Sequence, residues 1–200
     1  ENRTVDPRLS SHADLVLLHL GGNRVLTYLD RLPDIGLDAV KVTGQGREYP
    51  ADARLCACVV GRFCIHNFRI SEAGVAGFER VDVRQGYAKC CTCVVDAHSV
   101  ITSDAGIARA AARHGLDVLR IRPGYVDLPG FDTGFIGGAA FKSAPDVLAF
   151  TGRLDHHPDW PEIEHFLRGR GVEPLFLTDM PAFDIGSAVP LTEAAGKSCP

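Results

Sequence analysis

The sequence predicts an α/β protein made of repeated strand–strand–helix–strand units closed around an axis, with the helices outside. Three observations predict it. Cys56-Ala57-Cys58-Val59-Val60 returns 35 residues later as Cys91-Thr92-Cys93-Val94-Val95. An aromatic residue leads into successive units at Tyr49, Tyr87, Phe131 and Phe183. Each helical stretch ends in a glycine followed by a strand, at Gly36-Leu37, Gly115-Leu116 and Gly171-Val172. A unit of one amphipathic helix and three short strands cannot bury its apolar face alone, and a closed array of units can. An open doubly wound sheet fits less well, because such a sheet has one strand before each helix and here a hairpin precedes it.

The expected domain spans residues 12–192, with units at about 12–48, 49–86, 87–130 and 131–182 and a partial fifth at 183–192. Residues 1–11 and 193–200 are expected as tails. In the first unit, strands over 15–18 and 24–27 flank Gly21-Gly22-Asn23. A weak helix follows over 29–35, interrupted by Pro33, and then a strand over 37–43. In the second, a hairpin over 54–60 and 63–67 turns at Gly61-Arg62. A poor helix over 71–78 and a strand over 80–84 complete it.

The third unit is the clearest. Strands over 91–95 and 99–102 precede a helix over 105–114, with Ser103 or Asp104 as N-cap and Gly115 as C-cap. A strand over 117–122 ends at Pro123-Gly124. The fourth has strands over 135–140 and 147–151, a helix opened by Pro158 or Pro161, and a strand over 174–178. A last strand is expected over 185–191. The rest of a fifth unit would lie upstream of Glu1 or be replaced by the tail.

Net charge is -4 and the isoelectric point about 6.1, so no basic footprint for nucleic acid or anionic membrane is present. No apolar run reaches the roughly 18 residues of a membrane span. No signal peptide is visible. Seven cysteines, mostly in strand-like runs, favour reduced thiols and a cytoplasmic protein over a disulfide framework.

In a closed ring, the starts of first strands and the ends of second strands crowd the axis, where a pocket is expected. These positions hold Asp52, Lys89, Cys90, Asp132 and Asp184, with His66, Asn67, Asp104 and His156. Asp132 and Asp184 share the pattern Phe-Asp-Xaa-Gly and could grip a guanidinium or ammonium, or cap their own turns. Strand alternation places Cys90 on the face opposite Cys91 and Cys93. Lys89 would depress the Cys90 pKa, giving a thiolate nucleophile with His66 as proton shuttle. Packing is the alternative for Cys90.

Cys56, Cys58, Cys91 and Cys93 are expected to pack rather than bind zinc, since zinc sites use turns rather than flat strands. His156-His157 is expected as a solvated helix N-terminus, and Asp104 as an N-cap. No metal and no cofactor is expected, and no dinucleotide-type glycine loop is present.

Several segments then carry a resemblance: Tyr87–Cys93 (YAKCCTC), Ile101–Gly106 (ITSDAG), Pro123–Leu128 (PGYVDL), Pro129–Ala139 (PGFDTGFIGGA), Thr151–Leu154 (TGRL) and Asp184–Leu191 (DIGSAVPL). His12-Ala13-Asp14 and His66-Asn67-Phe68 also fit. The chain resembles an uncharacterised bacterial family with the pentein, or α/β-propeller, fold of the guanidine-modifying enzymes. The resemblance implies an axial pocket for a small cationic, guanidino- or amino-acid-like ligand; the ring positions above make Asp132, Asp184, Lys89, Asn67, Asp104 and Asp52 the expected ligand-binding residues. The characterised enzymes carry a nucleophilic cysteine in the last unit, followed by His-Cys. Here that segment reads Gly186-Ser187-Ala188-Val189-Pro190-Leu191, and Cys199 lies nine residues past Pro190. An enzyme using Cys90 and His66 and a non-catalytic binder of a small molecule or protein are the two expectations.

Overall fold

Each of the four repeats forms one three-stranded sheet in the computed structural model, which describes residues 2–71 and 75–192. The first sheet contains β1 (Leu17–His19), β2 (Arg24–Thr27) and β3 (Asp38–Lys41); the second, β4 (Cys58–Val60), β5 (Phe63–His66) and β6 (Glu79–Asp82). The third contains β7 (Thr92–Val94), β8 (Ser99–Thr102) and β9 (Asp117–Arg120); the fourth, β10 (Ala140–Ala144), β11 (Val147–Phe150) and β12 (Glu173–Phe176). In every sheet the first two strands are antiparallel and the third pairs parallel to the second. A parallel return needs a crossover, which is why a long connection separates second from third strand each time.

Among the described residues, that crossover is helical in two units. α2 (Ala105–Arg113) starts at Asp104, whose carboxylate accepts from the backbone N–H of Gly106 and Ile107 at 2.7 and 2.8 Å. It ends with Gly115 at φ 84°, a conformation that suits a residue without Cβ. α3 (Trp160–Arg168) buries Ile163 and Leu167. In the first unit the expected helix over 29–35 is absent and the chain bends there instead. Pro33 removes a donor inside a stretch too short to recover it. The four residues of β3 are all exposed. The expected helix over 71–78 falls partly on residues 72–74, outside the described residues, and 75–78 form no helix.

The apolar residues pack between successive sheets. Leu18 and Leu26 meet Leu55 and Cys64. Ile65 and Val81 meet Val100 and Ile107. Ile101 meets Leu148, Phe150 and Ile163. No helix among the described residues is long and apolar enough to cross a membrane.

One feature recurs where strands were expected. A short helical turn stands before the first strand of each unit: Ala13–Leu15, Ala51–Ala53, α1 (Ala88–Cys91) and a turn over residues 136–139. Cys90 therefore sits in a helical turn, and strand alternation does not set its direction. The expected strands over 135–140 and 185–191 are not formed as such; the chain at Phe183 makes a single bridge to Asp127.

His66, at the end of β5, is 1 % exposed, and neither ring nitrogen has a hydrogen-bond partner among the described residues. Its ring packs edge-on against Phe68 at 5.5 Å. Burial holds its pKa down to about 4, against a smaller raising effect of Asp82. A histidine whose folded pKa is depressed stabilises the fold above its unfolded pKa of about 6.5, and that contribution is lost as pH falls towards the folded value. The shift corresponds to about 3 kcal/mol at most. Urea unfolding of wild type should weaken between about pH 6.5 and 4 by that amount relative to His66→Leu. A variant with the same pH slope as wild type would refute the assignment.

Candidate functional site

The helical turns converge, and hydrogen bonds run from one to the next. The Lys89 N–H donates to the Cys56 carbonyl at 3.1 Å, and the Gly138 N–H to the Cys90 carbonyl at 2.9 Å. The Gly138 carbonyl accepts from Ile185 and Ser187, at 3.1 and 2.9 Å. The Asp14 N–H donates to the Gly186 carbonyl at 3.1 Å. The circuit returns through the Cys56 thiol, which donates to Asp14 Oδ2 at 3.5 Å. Segment 184–187 thus lies between the fourth and first units, bonded to both.

This convergence carries the reactive side chains. Cys90 Sγ donates to Asp14 Oδ2 at 2.6 Å. One donor atom each from His12, Cys90 and Asp184 lies within 4.8 Å of the others, as does one each from Asp14, Cys56 and Cys90. All five residues are buried. Asp184 is fixed by two backbone donors, Phe135 N–H to Oδ2 at 2.9 Å and Gly186 N–H to Oδ1 at 2.8 Å.

Two cavities lie beside this cluster. The first, about 380 Å³, is lined by His12, Cys90 and Asp184 with the rings of Tyr49, Tyr87, Phe131 and Phe135 among its walls. Tyr49 and Tyr87 stack at 5.1 Å between ring centres. Among the described residues, Asp184 is the single carboxylate lining it. The second, about 300 Å³, is lined by Asp14, Lys89, His19 and Lys142 among apolar strand residues. Asp14 and Cys90, hydrogen-bonded to each other, therefore face different cavities.

The electrostatics correct one expectation. Cys90 is not activated by Lys89. Its pKa stands well above the usual thiol value, through the hydrogen bond with Cys56, burial, and the nearby Asp14 charge. The Lys89 ammonium is turned away to Ser187 Oγ at 2.8 Å and the Gly137 carbonyl at 3.4 Å. Burial pushes Asp14 up to about 7, opposed chiefly by the Cys90 hydrogen bond. Burial also raises Asp184, opposed first by its Gly186 and Phe135 backbone hydrogen bonds, and lowers His12, opposed by the Asp184 charge. Ser187, buried, takes a φ of 63°, which few residues other than glycine adopt; such strain is concentrated at functional sites.

Of the residues expected from the sequence, the structure brings Cys90 and Asp184 together and holds Lys89 nearby through Ser187. Asp52 is buried one layer out and accepts from the Tyr87 hydroxyl at 2.6 Å. Asp132 is exposed and does not line the cavity, so the shared Phe-Asp-Xaa-Gly pattern does not give equivalent positions. His66 does not line it either. Asn67 holds its own loop, donating to the Arg84 carbonyl and accepting from the Arg69 N–H. Asp104 caps α2. His157, expected in solvent, is buried, accepting from the Asp159 N–H through Nδ1 and meeting the Arg122 carbonyl through Nε2; His156 is exposed. Cys58, Cys91 and Cys93 are buried free thiols in the cores between sheets. Cys199 lies outside the described residues.

Sequence reasoning missed His12 and Asp14 as site residues, and Cys56 as their neighbour. His12-Ala13-Asp14 stood out as a motif, and the signal was the placement of both polar residues directly before the first strand.

No curated protein and no solved structure matches the chain. The model of one family matches residues 1–189. By that match over nearly its whole length, the chain belongs to a family of unknown function, DUF6873.

Proposed function

We propose that the chain is a pentein-type α/β propeller that binds a small guanidino- or amino-acid-like cation in its aromatic-walled cavity and transforms it by hydrolysis or group transfer at Cys90. Four ββ(α)β units with shared cores, and the hydrogen-bond circuit through the fifth segment, support the propeller reading. The observation that carries the function is the cavity itself: one buried carboxylate, one imidazole and one thiol at the base of four aromatic rings. A carboxylate with oriented oxygens pairs well with a guanidinium, and aromatic faces attract cations. A guanidinium already sits at this rim, with Arg8 stacked 4.2 Å over Phe131.

In this reading Asp184 anchors the cation. Cys90 Sγ attacks the amidino carbon, forming an S–C bond, and its proton passes to Asp14 Oδ2. The C–N bond breaks as the leaving nitrogen takes a proton from His12. Water, giving a proton to His12, then displaces the thiolate, which recovers its proton from Asp14. An acceptor amine in place of water gives transfer. The resting thiol is protonated, and the positive charge of the ligand favours its ionisation on binding.

The raised pKa of Cys90 favours a second reading, a non-catalytic pentein binding a small molecule or a protein. Thermal unfolding tests the shared claim. L-arginine should raise the melting temperature, and its neutral urea analogue, L-citrulline, should not. Equal shifts with both, or none with either, would remove the cation site.

A further inference from the structure

Behind Cys90, which lines the aromatic cavity, the cluster holds a carboxylate and a second thiol that do not line it. Asp14 comes from the turn before β1, Cys56 from the segment before β4, and Cys90 from α1. Each is at most 3 % exposed. Both thiols point at the same oxygen, Asp14 Oδ2, while Asp14 Oδ1 is buried with no hydrogen-bond partner among the described residues. A buried carboxylate oxygen without a partner is costly and calls for an ion or other partner. The Lys89 ammonium does not hydrogen-bond Asp14; it bonds Ser187 and Gly137 instead.

We propose that Asp14, Cys56 and Cys90 form a site for a thiophilic divalent cation of the zinc type, with solvent in the fourth position. Two sulfurs and one carboxylate oxygen make a donor set that suits Zn²⁺ and disfavours Mg²⁺ or Ca²⁺. All three ligands lie outside paired strands: Asp14 and Cys90 in helical turns and Cys56, the first cysteine of its repeat pair, in the irregular segment before β4. On binding, the cation forms two metal–sulfur bonds and the two thiols release their protons to solvent. The site goes beyond the cation-ligand reading and stands without it. Where both hold, an occupied site withdraws Cys90 from reaction.

Cobalt(II) titration of the reduced, full chain tests this. Wild type should bind one equivalent with a thiolate-to-cobalt charge-transfer band that Zn²⁺ removes. Cys56→Ser should lose most of the band, and Cys93→Ser should keep it. In weakly buffered solution at neutral pH, wild type should release about two to three protons per Zn²⁺, two from the thiols and the rest from Asp14, a readout that needs no variant to fold. Absence of the band in wild type, a band undiminished in Cys56→Ser, or no proton release would overturn the site. Alkylation of Cys90 in chelator-treated protein reports on the cation-ligand reading separately, so the two can fail independently.

Discussion

Gly137→Ala should prevent folding or cost more than about 4 kcal/mol, because the new methyl has nowhere to go. A Cβ on Gly137 would lie under 3.0 Å from the carbonyl oxygens of Lys89 and Thr92. Both are backbone atoms, and both belong to the segment that runs from α1 into β7. Relief therefore needs the third and fourth units to move apart. Separation would strain the Gly138 N–H bond to the Cys90 carbonyl and open the core shared by Ile101, Leu148 and Phe150. Overpacking of a core side chain usually costs about 1–3 kcal/mol because rotamers adjust; a carbonyl cannot adjust in that way. Gly115→Ala, by comparison, meets no atom within 4 Å. It suffers only from its left-handed φ, at about 1 kcal/mol. Urea denaturation of both variants checks the ranking, and a Gly137→Ala protein with near-wild-type stability would contradict the close joint between these units.

Asp184→Asn should abolish the cavity's preference for cations. Asp184 is the single carboxylate among the described residues that line the cavity, and its position is fixed by the Phe135 and Gly186 N–H groups. A hydrogen bond to a charged group contributes about 1.5–3 kcal/mol, or roughly ten- to a hundredfold in affinity. The asparagine keeps shape and loses charge, and its amide nitrogen faces one of the two backbone donors. A stability loss of about 1–3 kcal/mol is expected beside the functional loss. The two separate cleanly: a neutral probe of Cys90 should react with the folded variant much as with wild type, and a cationic probe should lose its advantage. Retention of the cationic advantage would assign the selectivity to the aromatic walls alone.

The repeat was legible because each unit carries a hydrophobic period and punctuation of its own. Ser103-Asp104, the periodic Ile107, Ala110 and Ala111, and Gly115 marked α2 to within a residue of its observed ends. The turns before the first strands were not legible. Ala88-Lys89-Cys90-Cys91 is one helical turn of mostly small apolar residues, and so short a segment shows no period by which to tell helix from strand. The site depends on those turns. Cys90 and Asp184 stood out by residue type, but their partners arrive from residue 12 at one end and residue 187 at the other.

Nor could the local pattern separate Asp132 from Asp184. What separates them is packing. Gly138 leaves room for the Asp184 carboxylate where any Cβ would collide with it, and Gly186 lies against His12. Asp132 has no such cradle and stays in solvent. The direction of Lys89 was equally hidden, since Ser187, which holds it, is 98 residues away in sequence.

The central claim is that a cation bound in the aromatic cavity meets Cys90. Its most direct measurement is the alkylation rate of Cys90 by 2-chloroacetamidine, a cation, against 2-chloroacetamide, its neutral counterpart, located by peptide mass spectrometry in chelator-treated protein. Rates are normalised to each reagent's rate with a free thiol. A unit charge about 4 Å from a developing thiolate contributes a few kcal/mol at an effective dielectric near 20. Even a third of that is about tenfold. The account predicts that the amidine labels Cys90 at least about tenfold faster than the amide, with Cys58, Cys91 and Cys93 unlabelled. Equal normalised rates at Cys90, or labelling of another cysteine first, would contradict it.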